Sequence, residues 1–527
     1  VVDREDLHLT GDRDGEPPDG LAAEQVPAGV VVEDLHAVAR VGQHDESLPG
    51  QRRFDQVTFG TPAPTITDVL DVARGSSLRP LLWAAGALAV GIAVAVAVSS
   101  PWIALEAPPE AVVASDPDLD FTPAEQGEAD GYRAALRPPA YLALGLGLAA
   151  TLAVGLTPVG ARLVRALPAP RRAAVLVPGL VGGALVLLGV RLLTLPLSAW
   201  QESVRRDYGL STRDWGEWWL DIGRGFAVQS ALTLAGVLAI VLLARRWPRR
   251  WWVVAAPAAA GFVVVASLAY PLVVEPVFNR FEPLEDEELR ASVVELAERD
   301  GVTVGEVLVA DASRRTTTLN AYVSGFGPTK RVVLYDTLLE SAPSDEIEIV
   351  VAHELAHARE NDVLRGTLLG AGGAALAVLL IALASSWRPL TARAGLGSPG
   401  RGLVADDAVG GVDVPPAASG TALGAAAAVP FVLACVTALG FLSGPGQAVV
   451  SRAIEARADA VALDLTRDPD TFVRMQHTLA TASLADLDPP LLLHWWVASH
   501  PTAPDRIAMA RTWAVVNDVP VPPPLVP

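Results

Sequence analysis

Residues 251–274, WWVVAAPAAAGFVVVASLAYPLVV, run for 24 positions without a charged side chain. A helix needs about 20 apolar residues to cross the hydrocarbon core of a bilayer, so this interval reads as one membrane span. The same test, applied outward from it as the gap between consecutive charges, gives six more uncharged intervals, at 80–105, 138–161, 173–190, 225–244, 366–387 and 414–451. The third continues apolar past Arg191 to Trp200, so its span is placed at 173–197, with Arg191 facing the bundle interior or reaching the headgroups. The last is too long for one helix, and its span is placed from Thr421 to Gly444. Trp83, Trp102, Trp200, Trp247, Trp251, Trp252 and Trp387 fall near predicted ends, as an interfacial aromatic belt requires. The expected fold is therefore mainly α: a polytopic membrane protein with about seven transmembrane helices, plus a small α+β domain built from its polar segments.

Composition agrees. Of 527 residues, 51% are hydrophobic and only 19% are charged, which excludes a simple soluble globule. The single cysteine, Cys435, excludes an intrachain disulfide, and its apolar setting argues against thiol catalysis. A net charge of −19 excludes nucleic acid and argues against an anionic lipid surface as the main partner. Residues 1–73 contribute 15 Asp and Glu against 5 Arg, and a tail to about residue 78 is expected to be disordered. No Met precedes Met475, so the reading expects a non-Met start or trimming, with a true start near Arg74 and the first span acting as an uncleaved signal anchor.

Spans one to five then occupy 79–274, a polar segment 275–363, spans six and seven 364–444, a second polar segment 445–515, and a Pro-rich tail 516–527. Arg162, Arg165, Arg171 and Arg172 stand in one short loop, and Arg245, Arg246, Arg249 and Arg250 in another, with no acid in either. Both loops are expected to be cytoplasmic, which puts 275–363 and everything beyond 445 on the extracytoplasmic face of a bacterial plasma membrane. Within 275–363, Leu284–Arg299 reads as an amphipathic helix with Leu289, Val293 and Leu296 on one face, and 303–310 and 330–335 read as strands.

His353-Glu354-Leu355-Ala356-His357 carries the chemistry. On a helix, residues four apart share a face, so both imidazoles can meet one zinc ion while Glu354 reaches a water beside it. Ser344 is the expected N-cap. A catalytic site needs a third protein ligand and an open position. Two spans separate His357 from the C-terminal segment, which returns the chain to the same face. There Glu455 is the expected third ligand, and Asp459, one turn on, can accept the free ring N–H of a ligating His. A transporter or scaffold with a structural zinc is the reading from another class; it leaves Glu354 without a use, and no Cys is available to close the fourth position.

With these residues assembled, the sequence resembles the type 1 CAAX prenyl protease family of membrane-embedded zinc metallopeptidases, which implies that the seven transmembrane helices form a helical barrel and that the small α+β domain is a zinc-metallopeptidase domain. Asn320-Ala321-Tyr322, Lys330 through Leu339, Glu275 through Phe281, Ser451-Arg452 ahead of Glu455, and Ser499-His500-Pro501 with Arg506 all match its pattern. The resemblance implies one zinc per chain at His353, His357 and Glu455, with Glu354 as general base. It further implies that Asn320 and the strand containing Arg331, Val332, Val333 and Leu334 hold the substrate backbone, and that His500 and Arg506 bind substrate or oxyanion. The expected function is an integral-membrane zinc endopeptidase acting on peptide or membrane-protein substrates within the lipid bilayer, with a broad-specificity quality-control protease as the alternative.

Overall fold

The computed structural model describes residues 78–325, 330–397 and 422–526. The expectations for the acidic N-terminal tail, for Phe326 and for a seventh span starting at Thr421 lie outside the described residues. In chain order the long helices are α1 (Arg79–Ser99), α2 (Pro123–Leu156), α3 (Pro158–Arg165), α4 (Leu176–Asp207), α5 (Trp215–Arg246) and α6 (Trp251–Val273). They are followed by α7 (Glu287–Arg299), α8 (Ser344–Arg359), α9 (Asp362–Ser386), α10 (Val429–Thr466), α11 (Pro469–Ala482), α12 (Leu491–Val497) and α13 (Ala503–Val516). Among the described residues seven helices are long and apolar enough to cross a membrane: α1, α2, α4, α5, α6, α9 and α10. Neighbour packing closes them into a ring, α9 on α6, α6 on α5, α5 on α4, α4 on α2, α2 on α10 and α10 back on α9, with α1 against α9.

Several spans outrun the uncharged intervals that marked them. Helix α2 starts at Pro123, where Thr122 and Glu125 form a capping box, and carries a charged first half before its apolar one. Helix α4 ends at Asp207, not 197, because nothing in the polar stretch after Trp200 stops a helix that is already running. Arg191, half-buried, donates from Nη1 to Ser198 Oγ of the same helix at 3.3 Å. The largest departure is α10. The boundary at Gly444 does not exist as a break: one helix of 38 residues runs through Pro445 and delivers Glu455 and Asp459. Proline within a span costs a hydrogen bond, yet here the helix continues past it.

The polar segment folds as a four-stranded sheet, order β1-β2-β4-β3, from Phe281–Pro283, Glu306–Ala310, Ala321–Ser324 and Arg331–Tyr335. The two expected strands are β2 and β4; β1 and β3 are too short to stand out in the sequence. Strand β4 pairs in parallel with β2 and antiparallel with β3, so it lies inside the sheet. Leu289, Val293 and Leu296 of α7 are buried as expected, in one core with Val332, Leu334, Ile347, Val351 and Leu355. That core extends to Trp513 of α13, so the chain before the sixth span and the chain after the seventh fold together as one peptidase domain. The expected Pro-rich tail is part of it. Asp120, ahead of α2, pairs with Arg511 of α13, which also donates to the carbonyls of Pro522 and Pro523.

Candidate active site

Helix α8 presents the motif. Its first turn differs from expectation: Ser344 is already helical and Pro343 takes the N-cap position without a side-chain bond, while Asp345 and Glu346 supply acidic charge to the first turn. Nine of its residues from Ile347 to Ala358 are buried, which fixes the helix in rotation and aims His353, Glu354 and His357 at one place.

At that place His353 Nε2 lies 3.2 Å from Glu455 Oε2 and 3.1 Å from His357 Nε2, and His357 Nε2 lies 3.7 Å from Glu455 Oε1. Tetrahedral zinc with bonds of about 2.05 Å sets its donors ~3.3 Å apart, so this triangle has the right size. The outer nitrogens point away and are held: His353 Nδ1 is 2.8 Å from Asp459 Oδ1, and His357 Nδ1 is 2.9 Å from Asp362 Oδ2. Each ring therefore donates outward to a carboxylate and turns its Nε2 lone pair inward, the tautomer a metal ligand needs. Burial works against positive charge on both imidazoles, but Asp459 and Glu455 favour it at His353 and Asp362 and Glu455 at His357, so the surrounding carboxylates favour the positive charge that a cation in the triangle supplies. Two inward nitrogens and a carboxylate within 4.8 Å of one another call for a cation between them, and zinc fits the donor set.

Glu354 is not in the triangle. Burial pushes its carboxyl above the ordinary range, against the pull of His353, His357 and a hydrogen bond from the Val323 backbone. Val323 belongs to β3, the open edge beside α8. Tyr335 N–H bonds to Asn320 O, and the antiparallel register then alternates, so Tyr322 and Ser324 pair inward with β4. Ala321 and Val323 turn their N–H and C=O groups outward, toward the site.

That register corrects one expectation. Arg331, Val332, Val333 and Leu334 have no free backbone edge to offer a substrate, since β4 is paired on both sides, and Val332 to Leu334 are fully buried. Arg331 instead forms a 2.9 Å ion pair with Glu275 and lies over the Phe281 ring. The edge strand that faces α8 is β3, and Asn320, exposed at its start, keeps a position from which it can meet a substrate. Beside β3 opens a cavity of about 480 Å³, walled by Phe262, Ala266 and Tyr270 of α6, Val363 of α9 and Tyr322 to Gly325.

His500 reaches the site as expected, its Nε2 3.2 Å from Glu455 Oε2 and its Nδ1 bonded to Ser499 Oγ. Arg506 arrives differently. It spends Nε, at 2.7 Å, and Nη2 on the two oxygens of Asp459, so it clamps the carboxylate behind His353 and is not free as a substrate or oxyanion ligand through those donors.

Comparison with known proteins agrees with this geometry. Residues 283–514 match the model of peptidase family M48, and residues 143–280 match that of the CAAX prenyl protease N-terminal region, described as five membrane helices. The chain belongs to the type 1 CAAX prenyl protease family. It is thus a membrane-embedded metallopeptidase by family, and an integral membrane protein. The uncharacterized metalloprotease YhfN of Bacillus subtilis is 28% identical over 328 residues, 61% of this chain and 70% of that protein. CAAX prenyl protease 1 of Saccharomyces cerevisiae is 42% identical over 102 residues, but this match covers 19% of this chain and 22% of the yeast protein. The crystal structure of S. mikatae Ste24p superimposes with a TM-score of 0.62 at 20% identity, covering 82% of this chain and 98% of that one, which establishes the shared fold.

Asp362 and Arg457 were not anticipated. Asn361 adopts a left-handed conformation, φ +56°, which ends α8 and swings Asp362 back beneath His357. Arg457, two residues past Glu455, grips Asp362 from α10. The two imidazoles are thus backed alike, His353 by Asp459 and Arg506, His357 by Asp362 and Arg457. The available signal was an acidic residue directly after an Asn able to close a helix. Asp362→Ala is expected to weaken zinc binding by about 10- to 100-fold, read by competition with a chromophoric chelator. Arg365→Ala, which touches the same ion network 3.9 Å from Asp362 without meeting His357, should leave it unchanged.

Proposed function

We propose that the chain is a zinc-dependent endopeptidase that cleaves peptides presented within or at the membrane, including C-terminal segments of the CAAX type named for its relatives. The observation that carries this is the three-donor triangle of His353, His357 and Glu455, with Glu354 standing between it and an open strand edge. Three protein donors leave a fourth position free, which suits catalysis and not a closed structural site. When bound, zinc would supply Lewis acidity, polarising the scissile carbonyl and lowering the pKa of water toward 7. The rest is done by the chain. A peptide laid along β3 bonds to the outward groups of Ala321 and to the Val323 carbonyl, with its own scissile carbonyl beside Glu354, which holds the Val323 N–H. Glu354 takes a proton from the attacking water as the oxygen joins the carbonyl carbon, then passes it to the nitrogen as the C–N bond breaks. His500 is placed to donate to the oxyanion. The cavity beside β3 takes an apolar group of the substrate.

The test uses protein reconstituted in phospholipid vesicles and quenched fluorescent peptides, one ending in a prenylated CAAX sequence and one unmodified and apolar. Cleavage should stop with 1,10-phenanthroline and return with one equivalent of zinc. Cleavage that survives complete zinc removal overturns the proposal, and cleavage of both peptides at similar rates assigns the broader specificity.

We further propose that the zinc side is extracytoplasmic in a bacterial plasma membrane, on the strength of the two arginine-only loops. With Cys435→Ser as background, Glu295→Cys on exposed α7 should be labelled in intact cells by an impermeant thiol reagent, and Pro168→Cys only after permeabilisation. The opposite pattern puts the site in the cytoplasm.

A further inference from the structure

Net charge suggested that this protein avoids anionic surfaces, but among the described residues its charge is segregated. Since the sequence alternates across the ring, α1, α4, α6 and α10 start, and α2, α5 and α9 finish, at the end remote from the peptidase domain. Eleven arginines collect there: four at 160–172, four at 245–250, two in the short helix Arg388–Arg393, and Arg79. No Asp or Glu occurs in 157–175, 244–252 or 386–397.

Close backbone contacts draw these segments into one face. Gly395, at φ +73°, lets residues 388–396 lie on α3, since a Cβ there would meet Pro158 Cα at 3.1 Å. Arg165 donates to the Gly395 carbonyl. Gly424 approaches the Arg245 backbone as closely, tying residues 422–428 to the end of α5. All eleven arginines are exposed, and none makes an ion pair with a carboxylate among the described residues. Trp247 and Trp387, both exposed, stand among them, so the face lies at the depth where indoles meet lipid headgroups.

We propose that this face is a docking surface for acidic phospholipids, whose headgroup phosphates act as counter-ions to the arginines. Guanidinium binds phosphate in a bidentate fork, and a leaflet rich in anionic lipid supplies phosphate in the plane where the tryptophans place the face. The flanking indoles favour a lipid over a soluble polyanion, which would need the face to project into water.

The test measures spin-labelled phosphatidylglycerol against spin-labelled phosphatidylcholine at the protein surface, using the full chain in symmetric phosphatidylcholine bilayers, so the direction of insertion does not matter. Phosphatidylglycerol should be preferred by about threefold or more at low salt. The preference should fall toward unity in about 1 M NaCl, where the screening length is near 3 Å. It should also fall in a variant carrying Arg171→Gln, Arg172→Gln, Arg249→Gln and Arg250→Gln. Equal association of the two lipids at low salt overturns the proposal, as does a preference that survives both salt and the quadruple variant. Retention of an RNA oligonucleotide without lipid selectivity would assign the face to a nucleic acid instead.

Discussion

Glu354→Gln is expected to bind one zinc per chain as the parent does and to lose peptidase activity by a factor on the order of 10² to 10⁴, the range that a positioned general base contributes. The separation rests on geometry. Glu354 lies outside the ring of donors formed by His353, His357 and Glu455, and an amide of the same shape can still accept the Val323 N–H bond. What the amide cannot do is take a proton from water. The contrasting variants are His353→Ala and Glu455→Ala, each of which removes one of three donors and should lower metal content itself, measured by elemental analysis of the purified protein. If Glu354→Gln loses zinc to the same extent as these two, Glu354 is a ligand and the assignment of the base is wrong.

Reading charge-free intervals located all seven spans because the bilayer imposes one physical demand, length without charge, that a sequence displays openly. The same criterion could not find where the helices end. Intrahelical hydrogen bonding does not stop at the membrane surface, so α2 begins 15 residues before its uncharged interval, and α10 runs on through Pro445 to Thr466. The second of these matters to the site: Glu455 and Asp459 ride on the seventh span itself, so the proposed zinc ligand set is fixed to the membrane bundle as well as to the peptidase fold.

The two imidazoles and Glu455 were legible since ligand spacing on a helix is local and the return of the chain to one face is a matter of counting. Strand order is not local. Nothing in Lys330 to Tyr335 says that both its edges are taken, and β3, four residues long, shows no alternation strong enough to declare itself the edge. Arg506 was assigned to the site, but a sequence can place a guanidinium near a metal without saying that Asp459, fully buried, claims its Nε and Nη2. Net charge failed for a related reason. A sum over 527 residues hides a face on which, among the described residues, arginine stands without Asp or Glu.

The C-terminal tail gives the second large effect. Asp120 and Arg511 are both buried, with Arg511 Nη1 donating to Asp120 Oδ2 at 2.7 Å and Nη2 to Oδ1. Asp120 Oδ1 also accepts the Leu525 N–H, and Val526 N–H bonds to the Leu119 carbonyl, so one carboxylate joins the loop after the first span to α13 and to the last residues of the chain. Removing one member of a buried pair leaves the other charge without compensation, at a cost of about 3–5 kcal/mol. Asp120→Ala is therefore expected to lower the thermal midpoint of the detergent-solubilised protein and to open residues 516–526 to proteolysis, while Asp120→Asn, which keeps an acceptor for Arg511, should do less. The loss should travel. Arg511 shares α13 with Arg506, whose hold on Asp459 orients His353, so loosening this helix should also speed zinc release. A variant with an unchanged midpoint and unchanged zinc release would mean that Arg511 finds its counter-charge elsewhere and that the tail is held by its backbone contacts alone.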